Sequence, residues 1–117
     1  MRTAPLLAVL LLGPAFGPQA ADLKSPRLFA LDLKPGKVHE ECLTVAKGKT
    51  VDFEWSTTKP VDFNIHFHHG DEVSYPVKAD NAKQKKGRFS PGSKEDFCWM
   101  WTANAATRLT GRIDPPK

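Results

Sequence analysis

Two segments of the chain alternate apolar and polar residues without a break, and a period of two is the period of a β-strand. In Val51-Asp52-Phe53-Glu54-Trp55 the apolar side chains share one face and the acids the other. In the segment 61–67, Val61, Phe63, Ile65 and Phe67 oppose Asp62, Asn64 and His66 in the same way. Thr57-Thr58-Lys59-Pro60 between them is turn-prone and reads as the connection of two half-buried strands. Four further strands are expected at 28–33, 38–45, 96–102 and 107–113, with Pro35-Gly36, Lys47-Gly48, Gly70-Asp71, Pro91-Gly92 and Asn104 as punctuation. No apolar repeat at helical spacing appears. Such a chain folds as an all-β antiparallel sandwich of about six to eight strands, or as a barrel. Val73-Ser74-Tyr75-Pro76-Val77 carries a proline and is an edge strand or an extended loop. The basic, polar stretch from Lys78 to Arg88 reads as a solvated loop rather than a binding patch. The Asp114-Pro115-Pro116-Lys117 tail reads as disordered or extended.

The start of the chain has one Arg, an apolar run from Ala4 to Phe16 and then small residues, the three-part order of a secretory signal. Gly13, Pro14 and Gly17 make the run too short to span a bilayer at roughly twenty apolar residues. Residues 1–21 are therefore expected to be removed, leaving one domain over 22–117 in the periplasm or outside the cell. Losing that segment takes only Arg2 from a formal charge of +4. The remaining +3 is too mild a balance to argue for nucleic acid, and no second apolar stretch approaches spanning length.

Two cysteines in an exported domain of this size are most simply a disulfide. Closing the long loop between Cys42 and Cys98 stabilises by roughly 4 kcal/mol in the chain-entropy model, which suits a small domain. The competing reading is a thiolate metal ligand. In Asp96-Phe97-Cys98-Trp99-Met100-Trp101-Thr102 both faces are largely apolar, so the strand is central and covered on both sides, or one face lines a pocket with Tyr75, Trp99 or Trp101.

The order of these features resembles the GOLD (Golgi dynamics) domain, an extracytoplasmic β-sandwich. The likeness runs through His39-Glu40-Glu41-Cys42-Leu43-Thr44-Val45, the two alternating strands, Gly87-Arg88-Phe89-Ser90-Pro91-Gly92-Ser93 and the closing strand 96–102 with its nearby Asn104, roughly Leu28 to Ile113. The resemblance implies a sandwich, a Cys42–Cys98 disulfide at corresponding strands, and a binding role rather than catalysis. The eukaryotic cargo receptors of the family continue into a coiled coil, a membrane span and a cytoplasmic tail, which do not follow here, so their part in vesicle traffic does not carry over.

Three of the four histidines fall within Asn64-Ile65-His66-Phe67-His68-His69-Gly70. His66 and His68 are two apart on a strand and share a face, with side chains starting about 7 Å apart, a spacing that lets two imidazoles close on one ion. His69 and Gly70 begin a turn that could swing in a third ring, and Asp71 or Glu72 could add an oxygen. Imidazole suits copper, zinc and nickel, and a thioether from Met100 beside Trp99 and Trp101 favours copper(I), in the manner of small periplasmic copper chaperones. The plainer reading is an exposed pair and a turn that bind nothing. His39 is remote and reads as an exposed strand residue.

Catalysis finds little support. A disulfide removes the Cys98 thiolate as a nucleophile. No Gly-x-Ser-x-Gly, His-Glu-x-x-His or phosphate-cradling glycine loop occurs. Asp52, Glu54 and Asp62 alternate with core residues as outer-face charges do. The chain thus reads as an exported non-catalytic binding protein. Its ligand is a transition metal, copper before zinc or nickel, held by His66, His68, His69 and Met100, or else a protein or small molecule.

Overall fold

The computed structural model describes residues 19–117, so the expected signal segment lies almost wholly outside the described residues. Six strands form one antiparallel sheet: β1 (Arg27–Leu33), β2 (Val38–Val45), β3 (Val51–His69), β4 (Glu72–Phe89), β5 (Glu95–Ala103) and β6 (Thr107–Ile113). The strand order is β1-β6-β3-β5-β2, with β4 on the other edge of β3. The expected sandwich is present. β3 is long enough to serve two layers, pairing with β6 over Phe53–Thr57 and with β5 over Val61–His66, while β4 follows it on the opposite edge from Val51 to His69.

Thr57-Thr58-Lys59-Pro60 is therefore a bend inside one strand and not a turn between two. The buried hydroxyl of Thr107 takes up the backbone there: Lys59 N donates to Thr107 Oγ1 at 2.9 Å, and Arg108 N donates to Thr58 Oγ1 at 3.0 Å. These bonds satisfy main-chain groups that leave the ladder where β5 and β6 diverge. Pro60, which has no N–H, sits where no ladder bond is required.

Residues 78–88 correct the sequence reading, since the solvated loop is in fact most of β4. Its inward positions are mostly small, with Val77, Ala79, Ala82 and Gly87 touching or lining the core; Lys85 is half-buried opposite Trp55 and the other lysines face water, so the apolar half of the alternation is too faint to read as a strand. β4 is an edge strand, and its run of Lys83, Lys85, Lys86 and Arg88 guards that edge against further pairing. Pro76 lies on this edge strand beside a register shift between Ile65 and Phe67, where an extra residue bulges. The tail is extended and tied down: Thr50 N donates to Lys117 O at 2.9 Å and Lys117 N returns to Thr50 O at 3.0 Å.

The two layers close on an aromatic core of Phe53, Trp55, Phe63, Phe89, Phe97, Trp99 and Trp101, with Leu43, Val45, Val51, Val61, Ile65, Leu109 and Ile113 around it. Trp99 and Trp101 of β5 are fully buried on the inner face, which settles their place: they are core and line no outer pocket. Trp55 meets Trp101 edge to face at 85°, and Trp99 meets Phe89 at 89°, the favoured geometry for aromatic pairs. At the open side of the sandwich Phe29 of β1 packs on Trp101, with ring centroids 5.1 Å apart. Arg27 reaches from β1 to Glu41 of β2 at 3.3 Å, and His39 Nε2 lies 3.1 Å from the other Glu41 oxygen while its ring stacks on Trp101. His39 is thus a half-buried member of an interlayer clasp and not an exposed strand residue.

Cys42 and Cys98 form the expected disulfide, joining directly opposed residues of β2 and β5. Two glycines let rings lie flat across neighbouring strands. Phe53 covers Gly87 and Phe29 covers Gly111, each directly opposite in register. Gly111→Ala should push Phe29 off Trp101 and cost about 1–3 kcal/mol, whereas Thr110→Ala on the outward face should change stability by about 0.5 kcal/mol or less. Guanidinium unfolding of both variants checks this, and equal midpoints would show that the Phe29 contact is not a constraint.

Candidate functional site

The outer face of the β2–β5–β3–β4 layer carries every even-numbered side chain of β2, β5 and the second half of β3. Register aligns them in rows: Glu40, Met100 and Asn64 in one, Cys42, Cys98 and His66 in the next, with Val38, Thr102 and Asp62 beyond. Met100 therefore faces the histidine side, directly beside Asn64 and diagonal to His66, within the reach of a long side chain. His68 follows His66 on the same face, opposite Val73. His69 is one residue further and projects from the opposite side of the ribbon, so the structure does not gather it with the other two.

An outer sheet face is ordinarily solvated, yet His66 is only 4% exposed and Asn64 8%. The cover is local. The disulfide lies on one flank, the Tyr75 ring stands 5.9 Å from the imidazole on the other, and the His68 ring meets it edge-on at 5.3 Å. Lys78 in turn lies over Tyr75 at 5.5 Å.

Within this cover the ring is fixed. His66 Nδ1 donates to Asn64 Oδ1 at 2.7 Å, since an amide oxygen only accepts, and this leaves Nε2 as the electron-pair atom. Nε2 stands 3.6 Å from Glu40 Oε1. Burial pushes the His66 pKa down, the Glu40 carboxylate pulls it partly back up, and His68 adds to the lowering; the balance is below the ordinary imidazole value. A neutral nitrogen and an anionic oxygen thus address the same point, an arrangement that a cation or a strong hydrogen-bond donor can use. Among the described residues, the ligand atoms of Glu40, Cys42 and Cys98 are the only three from His, Cys, Asp or Glu that lie within 4.8 Å of one another, and the two sulfurs are bonded in the disulfide. His66 and His68 share the face without completing such a group.

Glu40 and Asn64 were not singled out in the sequence. The signal for Glu40 was its position two before Cys42, which puts it on the disulfide's face. Asn64 carried only the same alternation as its neighbours.

Asp52 of the other layer and Asp62 of this one are occupied differently. Asp52 accepts from Arg88 Nε at 3.0 Å and pairs with Lys117 Nζ at 2.9 Å, and hydrogen bonds from Lys117 and Arg88 hold its carboxyl below the usual range. Asp62 Oδ1 accepts from Asn81 N at 2.9 Å, steadying a bulge at which Asn81 has a φ of 53°. Neither is free to act with a second carboxylate.

The depressed His66 pKa gives folding stability a direction with pH. The native state resists a proton that the unfolded chain takes up below about 6.5, so stability should be flat above that value and fall as pH drops through it. The urea midpoint should decline between about pH 7.5 and 5.5, and His66→Gln should flatten the decline. Equal slopes in the two proteins would place the titration elsewhere.

No protein-family model matches the chain, and no curated protein sequence does. Among solved structures, the fold is similar to PliG of Aeromonas hydrophila, a periplasmic lysozyme inhibitor of g-type lysozyme, over 80% of this chain and 87% of that one, at 9% identity and a TM-score of 0.62. A de novo designed double-stranded β-helix aligns over 78% of this chain and 99% of its own, at 16% identity and a TM-score of 0.42.

Proposed function

We propose that the chain is an exported, non-catalytic binding protein of GOLD-like type whose working surface is the outer face around His66, and that its ligand is a soft transition-metal ion, copper(I) before zinc or nickel. The observation that carries this is the Asn64 hydrogen bond to His66 Nδ1 at 2.7 Å inside a buried setting. Metal-binding histidines are characteristically held this way, with the second nitrogen donating to an oxygen so that tautomer and ring orientation are set in advance. His66 Nε2 is then the anchoring ligand. His68 and Met100 share its face and complete a set of two imidazoles and a thioether, which selects copper(I) over harder ions. Glu40 adds negative charge beside the ion.

A protein partner is the second reading. Of the four exposed large apolar side chains among the described residues, Val38, Val73 and Tyr75 border this face, and Leu28 lies on the other layer. The likeness to a periplasmic inhibitor that acts on another protein fits the same reading.

Copper(I) titration of the oxidised protein, with ascorbate holding the metal reduced, tests the first reading. One-to-one binding is expected, abolished by His66→Ala and weakened about 10–100-fold by Asn64→Ala, which touches only the orientation of the ring. Met100→Ala should weaken it as well, and His69→Ala should leave it unchanged. Binding that survives His66→Ala, or fails in the unmodified protein, rejects the metal reading and leaves the face to a protein partner.

A further inference from the structure

We propose that the Cys42–Cys98 disulfide is the closed state of a second metal site, and that its reduction releases two thiolates that bind one zinc-like divalent ion together with Glu40 and His66. This site differs in donor set and oxidation state from the copper reading and stands whether or not the oxidised face binds an ion.

The geometry comes from three adjacent strands. Cys42 on β2 and Cys98 on β5 are direct cross-strand partners, and His66 on β3 is the next partner of Cys98 in the same row. The ligand atoms of Glu40, Cys42 and Cys98 lie within 4.8 Å of one another, and His66, whose Nε2 is 3.6 Å from Glu40 Oε1, stands just outside that group in the oxidised protein and joins it when the freed sulfurs rotate. Two sulfurs, a nitrogen and an oxygen are a tetrahedral zinc set. With Zn–S near 2.3 Å the sulfurs of such a site stand about 3.8 Å apart. Cross-strand neighbours whose Cα atoms are 4.1 Å apart reach that separation by side-chain rotation.

The strands do not depend on the disulfide for their register. Glu41 pairs with Trp99 and Leu43 with Phe97 on either side of it, and Leu43, Phe97 and Trp99 are fixed in the core. Opening the bond therefore leaves both thiols facing each other on a rigid sheet. Cys42 is only 2% exposed while Cys98 is half-buried, so the accessible sulfur is that of Cys98. A dithiol reductant attacks there, forming a mixed disulfide with Cys98 and expelling the Cys42 thiolate. Its second thiol then displaces Cys98. The reductant ends as a disulfide, having given two electrons and two protons, and the two cysteine protons pass to solvent when the metal binds.

The test is cobalt(II) titration, followed by zinc displacement, of the full chain in oxidised and reduced forms. The reduced protein should bind one cobalt with an intense thiolate-to-metal absorption, at least about a hundredfold more tightly than the oxidised protein. Zinc should displace it. Glu40→Gln and His66→Asn should each weaken binding and shift the ligand-field bands while keeping the thiolate absorption, and Cys42→Ala/Cys98→Ala should lose it. Met100→Ala, which lowers copper(I) affinity of the oxidised protein in the first reading, should not change zinc binding by the reduced one, so the two readings fail separately. The proposal is overturned if reduced protein binds cobalt no better than oxidised protein, or if both single variants leave affinity and bands unchanged. It is also overturned if the reduced chain loses its far-ultraviolet strand signature and zinc does not restore it.

Discussion

The structure depends on one strand being hydrogen-bonded along both edges for most of its length while its inner side chains stay covered. β3 meets β4 on one edge throughout and changes partner on the other, from β6 to β5, at the bend around Thr58–Pro60. A flat sheet with this connectivity would leave Phe53, Trp55, Phe63 and Ile65 facing water. Bending β3 folds the β1–β6 side over the β2–β5 side and lets the aromatic rings of both meet. The burial of those rings drives the bend, and Thr107 makes it tolerable by taking up the main-chain groups of Lys59 that no strand can reach.

β3 has a strand on each side in both layers, β4 with β6 and then β4 with β5. What differs is the side chains those strands supply, and so His66 and Asp52, both even-numbered positions of one alternating strand, have opposite electrostatics. Asp52 stands in water and is held ionised by hydrogen bonds from two cations. His66 is shielded by Tyr75, His68 and the disulfide, and desolvation outweighs the pull of Glu40. The same alternation yields a solvated surface in one layer and a small, dry polar recess in the other.

Much of this was legible in the residues. The boundaries of β2 and β6, the inward set on β5 and the pairing of the cysteines follow from alternation, punctuation and compartment. β4 was not legible, because Ala79, Ala82 and Gly87 fill the inward places under the rings of β3 and leave no apolar signal. The bend was read as a turn because threonine, lysine and proline have the same local preferences in both, and only the partners of β3 decide between them. At the site, alternation put His66 and His68 on one side and should have removed His69, but it could not say that Met100 shares that side, which only the register of β5 on β3 decides. It could not show that the ring would be buried, since that cover comes from residues distant in sequence.

Parity and register carry different information here. Alternation fixes which side of the sheet a residue faces, because a slip of one place would turn Asn64 and His66 into the core. A slip of two places preserves every inward residue yet would set His66 opposite Met100 or Asp96 instead of Cys98. For β2 and β5 the core pairs Glu41–Trp99 and Leu43–Phe97 hold one register, with Leu43, Phe97 and Trp99 packed in place, and the disulfide between them locks the same register and brings Glu40 opposite Met100. For β3 no covalent link does so. Its place along β5 is set by the length of chain between its two partners, and so by how many residues the bend at Thr58–Pro60 consumes. The meeting of His66 with Glu40 and Cys98 is therefore decided about eight residues back along β3, by Thr58 and its partner Thr107 at the corner of the sandwich.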